Sequence, residues 1–177
     1  NPNPTSGATA EESVDCRVPT GDPRSTTCAV YVLGAGRDSA NPAYLRVFPN
    51  MMVAAPKDEN ELRNLVATAF TTGHPTAIRY PRGNGQGVAR DAAPKILPVG
   101  KGEVLRVGKD GVVFAIGDPV MPALRAAERV AGEGGPSLTV VNARWVKPLD
   151  VELIRQFVKP GTKVLTVEEN QLAGGFG

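Results

Sequence analysis

A chain of 177 residues with 41% hydrophobic content is long enough to bury one good core or two small ones, which is typical of a globular protein. Its 20 basic and 18 acidic residues are spread along the chain, so the net charge of +2 includes no basic block that would bind nucleic acid. No apolar stretch approaches the roughly 18 residues of a membrane span, and no secretory leader is visible. We therefore expect a protein of the cytosol or an organelle matrix that binds neither nucleic acid nor membrane.

The first 42 residues are rich in Pro, Ser, Thr, Gly and Ala, and we expect them to be mostly irregular. Within them, VLGAGRDSA places Gly-x-Gly after a short apolar run but lacks the third glycine and the helix of a nucleotide loop, so it is interpreted as a turn. Cys16 and Cys28 are the only cysteines, and their spacing matches no metal motif. Free thiols are favoured over a disulfide or a redox pair.

From residue 43 the pattern becomes regular and predicts a strand, a helix and a second strand. MMVAAP is typical of a buried strand, and KDENELRNLVATAFTTG has apolar residues at helical spacing. Asp58 and Glu61 form a capping box at the start of this helix, and Gly73 closes it. PTAIRYP is the second strand, which Pro81 ends because proline lacks the N–H that a sheet ladder requires.

A second regular region follows a stretch without periodicity. GEVLRVG and GVVFAIG are candidate strands joined by the turn GKDG. The next helix is predicted to have Asp118 as its N-cap and Pro119 at its first position. SLTVVNARWV is then a strand, DVELIRQFV a helix capped by Asp150, and KVLTVEEN the last strand. Short connections in this order predict parallel pairing with right-handed crossovers.

The predicted fold class is α/β, with two three-layer α/β units of mainly parallel sheets and an irregular N-terminus. We expect the second unit to be incomplete, because LAGGFG follows a strand where a helix or loop should come. The predicted boundaries are 1–42 for an irregular leader, 43–87 for the first unit, 88–98 for a linker and 99–177 for the second unit.

Charged side chains follow the strand that ends at Pro81. In open parallel sheets, functional groups gather beyond the carboxyl ends of the strands. Arg79 and Arg82 stand on either side of a Tyr-Pro pair and precede several glycines. A guanidinium offers a planar fork of donors, and glycine lets backbone N–H groups approach an oxyanion. The pattern fits phosphate or carboxylate binding, and it also fits an ion pair across a domain interface.

The other candidate residues favour structural roles. Arg144 and Lys147 in NARWVKPLD could bind an anion, but a helix start follows them directly. Glu168 and Glu169 are adjacent, so in a strand they point to opposite faces and cannot act as a paired acid and base. His74 is the only histidine, which disfavours a Ser-His-Asp triad or a histidine-rich metal site.

An ordered set of motifs covers residues 44 to 177, about three quarters of the chain. These motifs are YLRVFPNMMVAAPKDENELR, PTAIRYPRGN, LPVGKGEVLR, VVNARWVKPLD and TVEENQLAGGFG. Together they closely resemble the 1-deoxy-D-xylulose-5-phosphate synthase family, which is thiamine-diphosphate-dependent and transketolase-like. Transketolases and the β subunits of 2-oxo-acid dehydrogenases share the architecture and the GGFG ending but usually lack YPRGN.

The resemblance implies a transferase that joins pyruvate to D-glyceraldehyde 3-phosphate with loss of CO₂, giving 1-deoxy-D-xylulose 5-phosphate. This product enters isoprenoid biosynthesis by the methylerythritol phosphate pathway and also supplies thiamine and pyridoxal. The family works as a homodimer with thiamine diphosphate and Mg²⁺, in the bacterial cytoplasm or the plastid stroma. By this resemblance, the first unit is the end of a pyrimidine-binding domain and the second is most of a C-terminal domain.

The resemblance assigns few site residues to this chain. Arg82 matches the arginine that holds the phosphate of glyceraldehyde 3-phosphate, and Arg79 becomes a supporting or interface residue. No catalytic, cofactor-binding or metal-binding residue is carried over, because the GDG…N motif, the activating glutamate and the aromatic platform of the family are not found in the sequence. Asp118 departs from the family, which usually has a small hydroxyl residue there. We expect the chain alone to lack synthase activity.

Three interpretations of the whole chain stay open. The leading one is a fragment, truncated product or misread frame of a synthase of this family, with residues 1–42 as an unrelated leader. The second is a non-catalytic dimerisation module that binds a full-length partner. The third is one subunit of a split transketolase or of an enzyme like the β subunit of 2-oxo-acid dehydrogenase E1.

Overall fold

The computed structural model describes residues 30–35, 45–81, 84–170 and 174–177. Cys16, Cys28 and Arg82 lie outside the described residues. The elements in these ranges are β1 (Val30–Ala35), β2 (Met52–Ala54), α1 (Glu59–Ala69), β3 (Thr76–Pro81), β4 (Glu103–Arg106), β5 (Gly111–Ala115), α2 (Val120–Gly132), β6 (Leu138–Asn142), β7 (Trp145–Lys147), α3 (Val151–Phe157) and β8 (Val164–Val167). Within these ranges, no helix has the length and apolar character needed to cross a bilayer.

The first sheet has the strand order β1-β3-β2-β7. β3 pairs in parallel with both β1 and β2, as expected for strands joined through a helix, whereas β7 pairs antiparallel with β2. Helix α1 packs on this sheet because its apolar side chains follow helical spacing. The fully buried members of the resulting core are Ala54, Leu65, Ala69, Ile78 and Trp145. β1 is the only element described within residues 1–42, and the rest of that stretch lies outside the described residues.

The second sheet has the order β4-β6-β5-β8. β5 pairs in parallel with β6 and β8, and β4 pairs antiparallel with β6. Alternate residues of β5 face opposite sides of the sheet, so Val113 packs with Ala127 of α2 while Val112 packs with residues of α3. This unit therefore has three layers, and the predicted α/β class is confirmed. The turn GKDG joins β4 to β5, but these two strands do not pair with each other.

The predicted strand SLTVVNARWV is two strands, so that expectation was wrong. The chain breaks at Ala143 and Arg144, and Arg144 has a left-handed backbone with φ of 60°. β6 stays in the second sheet, and β7 turns away to join the first. A residue other than glycine at such an angle is uncommon and requires support from its surroundings. That support comes from the ion pairs of Arg144 described below.

The predicted helix caps have mixed outcomes. Asp58 and Asp150 both act as N-caps, accepting backbone N–H groups of Glu61 at 2.7 Å and Leu153 at 3.0 Å. Asp118 does not cap α2, which begins after Pro119 with no side-chain cap. The Asp118 carboxylate instead accepts a hydrogen bond from the side-chain amide of Gln86, 32 residues earlier. It therefore does not bind the first N–H groups of α2, contrary to the prediction from the sequence pattern.

Candidate functional site

A cleft of about 860 Å³, counted out to open solvent, lies beyond the carboxyl ends of β2, β3 and β5. This is the edge at which parallel sheets gather functional groups. The cleft is lined by residues 56–59 and 62, by Tyr80 and Pro81 at the end of β3, by residues 84–86, and by Asp118. Arg82 itself lies outside the described residues. Pro81 and Asn84, the nearest described residues on either side of it, both line the cleft.

Glu59, at the start of α1, holds the segment that follows Asn84. Its carboxylate accepts the backbone N–H groups of Gln86 at 3.0 Å, Gly87 at 2.6 Å and Val88 at 2.9 Å. The backbone N–H of Glu59 lowers the pKa of its carboxyl group, as do the N–H groups of the same three residues, against the opposite effect of partial burial. The backbone N–H groups that the sequence suggested for an oxyanion therefore bind a carboxylate of the same chain.

Gln86 connects the two units across the cleft. Its side-chain amide donates to the backbone carbonyl of Lys57 at 2.9 Å and to the Oδ1 atom of Asp118 at 3.1 Å. Lys57 follows β2 of the first sheet, and Asp118 follows β5 of the second. One amide group thus joins the two strand ends that form opposite walls of the cleft.

Lys57 brings a positive charge to the wall of the cleft. Its Nζ atom lies 2.8 Å from Oε2 of Glu103 and 3.4 Å from Oε1 of Glu61. Desolvation by burial lowers the pKa of Lys57, but attraction to Glu61 and the hydrogen bond to Glu103 outweigh it, so the pKa is raised. The ammonium group stays charged at neutral pH, with its charge balanced by these two carboxylates.

A buried ion-pair network lies behind Lys57. Glu61 is only 3% exposed, and its Oε1 atom accepts a hydrogen bond from Nε of Arg144 at 2.7 Å. Arg144 also binds Oε2 of Glu103 at 3.1 Å, and the amide of Asn142 donates to both Glu61 oxygens. Desolvation raises the pKa of Glu103, but Lys57 and Arg144 more than compensate and lower it. Arg144 thus makes structural ion pairs, and the sequence missed its partner Glu61 because 83 residues separate them.

Arg79 is placed in a different cavity from the cleft. Its Nη1 atom lies 3.0 Å from Oε2 of Glu169, which follows β8 of the second unit. This pair lines a cavity of about 340 Å³, also counted out to solvent. Glu168 accepts the backbone N–H groups of Phe176 and Gly177 at 2.8 and 2.9 Å. The structure thus joins Arg79 to an inter-unit ion pair and does not bring it to the cleft.

The remaining candidates have structural or surface positions. Lys147 donates from Nζ to the backbone carbonyls of Arg46 and Phe48, and His74 is exposed in the turn before β3. Among the described residues, no group of three or more His, Cys, Asp or Glu side chains could hold a metal ion.

Comparison with known families decides what kind of chain this is. The pyrimidine-binding domain of transketolase matches residues 37–87, and the transketolase C-terminal domain matches residues 100–177. The chain belongs to the transketolase family. The transketolase-like character inferred from its motifs is thereby confirmed, as is the predicted α/β fold.

Relatives within the family are 1-deoxy-D-xylulose-5-phosphate synthases. The chain is 56% identical over 135 residues to synthase 1 of Geobacter metallireducens and to the synthase of Syntrophus aciditrophicus. Each match covers 76% of this chain and 21% of the relative, so the chain spans about a fifth of the length of these proteins. A solved structure, a split-gene transketolase described as an inactive β4 tetramer, superposes with a TM-score of 0.70 at 31% identity, covering 83% of this chain and 49% of the other.

Proposed function

We propose that the chain is part of a 1-deoxy-D-xylulose-5-phosphate synthase, which condenses pyruvate with D-glyceraldehyde 3-phosphate and releases CO₂. The observation that carries this proposal is the 56% identity to synthases over 135 residues. In this proposal, residues 43–87 are the end of the pyrimidine-binding domain and residues 99–177 are most of the C-terminal domain, with 88–98 as the linker.

Within that enzyme, Arg82 binds the phosphate of D-glyceraldehyde 3-phosphate, and Arg79 has a supporting role through its ion pair with Glu169, which lines the separate cavity. The position of Pro81 and Asn84 on the cleft wall supports this role for Arg82. So does the occupation of nearby carboxylates: Glu59 accepts backbone N–H groups, and Asp118 accepts from Gln86. A bidentate guanidinium suits a phosphate group better than a point charge does.

The phosphate role of Arg82 is tested by titrating the chain with D-glyceraldehyde 3-phosphate and following amide chemical shifts. We expect Arg82→Ala to weaken binding about 10-fold or more, which is the effect of losing a charged hydrogen bond. Arg90 is exposed and does not line the cleft, so Arg90→Ala is the matched control. Equal affinities for the two variants would refute the assignment.

Thiamine diphosphate and Mg²⁺ are the cofactors of this proposal. The described residues provide no cluster that fits a metal ion, so we derive no step through either group. We expect no turnover when the chain alone is mixed with both substrates and both cofactors, because the family's motifs for binding them are not in the sequence. Turnover by the chain alone, measured as release of CO₂, would contradict this expectation.

A second candidate is one subunit of a split enzyme whose remaining domain is on another polypeptide. The likeness to a split-gene transketolase favours it. Affinity purification from the native cell, followed by mass spectrometry, should then recover a partner with the GDG…N motif. In either candidate we expect a homodimeric core, located in the bacterial cytoplasm or the plastid stroma.

A further inference from the structure

We propose that Glu59 is a positioning residue for the phosphate site, because its carboxylate binds the backbone of residues 86–88, which follow Arg82 closely in the sequence. The inference rests on the proposed function, since it assumes that Arg82 binds phosphate. Glu59 would touch no substrate atom. It would act through the backbone that it holds against the start of α1.

The geometry for such a role is specific. Three consecutive backbone N–H groups, from Gln86 to Val88, converge on the two carboxylate oxygens of Glu59 within 3.0 Å. Hydrogen bonds to an ionised acceptor are about twice as strong as neutral ones. Three of them on one side chain determine both the position and the orientation of this short segment.

The glycines of the segment suit this contact. A Cβ atom added at Gly85 would lie 3.0 Å from both Cδ and Oε1 of Glu59, which is closer than side chains normally approach. Gly87 has a φ of 77°, a left-handed angle that glycine adopts at little cost. Both glycines therefore allow the backbone to turn its N–H groups toward Glu59. This gives a use to the glycines after the arginine that does not require them to touch the phosphate directly.

The same segment is fixed from the opposite wall. Gln86 donates its side-chain amide to Asp118 of the second unit, while its backbone N–H is held by Glu59 of the first. A segment held at both walls loses little conformational entropy when a ligand binds beside it. A segment that is already ordered before the ligand binds gives higher affinity. Misplacing a positioned group by about 1 Å can lower activity about 100-fold.

The test compares binding of D-glyceraldehyde 3-phosphate, and of inorganic phosphate, to the full chain and to Glu59→Gln and Glu59→Ala variants. We expect Glu59→Ala to raise Kd roughly 5- to 10-fold, and Glu59→Gln to raise it less, because the amide keeps one acceptor oxygen. Glu128→Gln on the exposed face of α2 is the matched control for the charge change.

Two further readouts separate positioning from general stability. Amide hydrogen exchange at Gln86, Gly87 and Val88 should accelerate in both Glu59 variants, while the exchange rates of β3 and β5 stay unchanged. Gly85→Ala keeps the charge of Glu59 but crowds its carboxylate, so it should also weaken binding. The double variant Gly85→Ala with Glu59→Ala should bind the ligand as tightly as Glu59→Ala alone, because both changes remove the same contact.

The outcomes distinguish this inference from the function on which it rests. If the unmodified chain fails to bind either ligand, the phosphate site itself is wrong and the inference is wrong with it. If the chain binds and Arg82→Ala abolishes binding, but the Glu59 variants bind normally, the positioning role alone is overturned. Faster amide exchange without a change in Kd would likewise reduce Glu59 to a structural contact and overturn the inference.

Discussion

Glu61 is buried at the contact between the two units and accepts hydrogen bonds from Lys57, Asn142 and Arg144. A buried charge is costly unless it is paired and hydrogen-bonded, and here each oxygen of Glu61 has partners. The pair with Arg144 also accounts for the left-handed backbone at that residue. The network lies directly behind the cleft wall, so its loss should affect both stability and the position of Lys57.

Replacing Arg144 with methionine should therefore be severely destabilising. Methionine keeps much of the side-chain length and the same backbone strain, but it leaves Glu61 as a buried charge without its closest charged partner. We expect the free energy of unfolding to fall by about 3–5 kcal/mol, measured by urea denaturation. Arg125→Met, on the exposed face of α2, should change it by less than about 0.5 kcal/mol.

The double variant Glu61→Leu with Arg144→Met tests the reason for that loss. Because it removes the uncompensated charge, it should be more stable than Arg144→Met alone. A double variant whose loss equals the sum of the two single losses would show that the residues act independently.

At the scale of elements, the segment between the units is held along α1 by polar side chains. Asn60, Asn64 and Thr68 lie four residues apart and so form one stripe on the helix. Their side-chain oxygens accept the backbone N–H groups of Asp91, Lys95 and Leu97 at 2.8–2.9 Å. The sequence predicted an aperiodic linker, and no helix or strand is described in residues 84–98. The spacing of Asn60, Asn64 and Thr68 at i, i+4 and i+8 was the sequence signal that could have predicted the attachment of this linker to α1.

Asp91 makes this attachment sensitive to pH. Hydrogen bonds from Lys95, Asn60 and Asn64 lower its pKa from 3.8 to about 2. Because the folded pKa is below the unfolded one, the carboxylate contributes stability above pH 3.8, and this contribution is lost as pH falls toward 2.

Asp91→Asn should thus lower the thermal midpoint at neutral pH, and its difference from the unmodified chain should shrink as pH falls from about 4 to about 2. Thermal unfolding followed over that pH range checks this expectation. Glu133→Gln, at an exposed carboxylate, provides the control. A difference that is independent of pH would contradict a role for the ionised carboxylate.

β7 is the element that the sequence could not assign to its sheet. The apolar run indicated a strand, but the partner strand β2 lies about ninety residues earlier. Trp145 is fully buried in the same core as Leu65 of α1 and Ile78 of β3. Sequence patterns determined the type of nearly every element because those signals are local, whereas the choice of sheet depends on contacts between distant residues.

Trp145→Ala should destabilise the first sheet, although Trp145 comes shortly after β6 of the second sheet in the sequence. We expect a loss of about 3–5 kcal/mol, with chemical-shift changes at Leu65 and Ile78. Trp145→Phe should cost less, because the buried indole Nε1 has no hydrogen-bond partner among the described atoms. Changes confined to residues of the second sheet would contradict this packing.

At the scale of the whole molecule, the two predicted units share both a core cluster and a strand pair. Ala55 of the first unit packs with Ile116 and Ala143 of the second, and β7 pairs with β2. We expect a single unfolding transition, in which fluorescence of the one tryptophan coincides with far-ultraviolet circular dichroism. Two separate transitions would indicate units that fold independently.

An apolar surface lies between α2 and β8 of the second unit. Leu165 is 56% exposed on β8, an edge strand of the second sheet, beside the proline and alanine residues of α2. Exposed apolar surface and open edges favour association. Leu165→Lys should lower concentration-dependent association in sedimentation velocity, whereas Gln156→Lys, which adds the same charge on α3, should not. Equal association of both variants would exclude this surface.

The crossing of β7 into the first sheet changes what a cut in the polypeptide would do. A protease that cleaves the segment near residue 90 would break the covalent connection between the units, but it would leave β7 hydrogen-bonded to β2 and Trp145 in the first core. The two pieces would remain one particle until denatured. Covalent continuity and structural unity are therefore separate properties in this chain, and the boundary visible in its sequence is not a boundary of its fold.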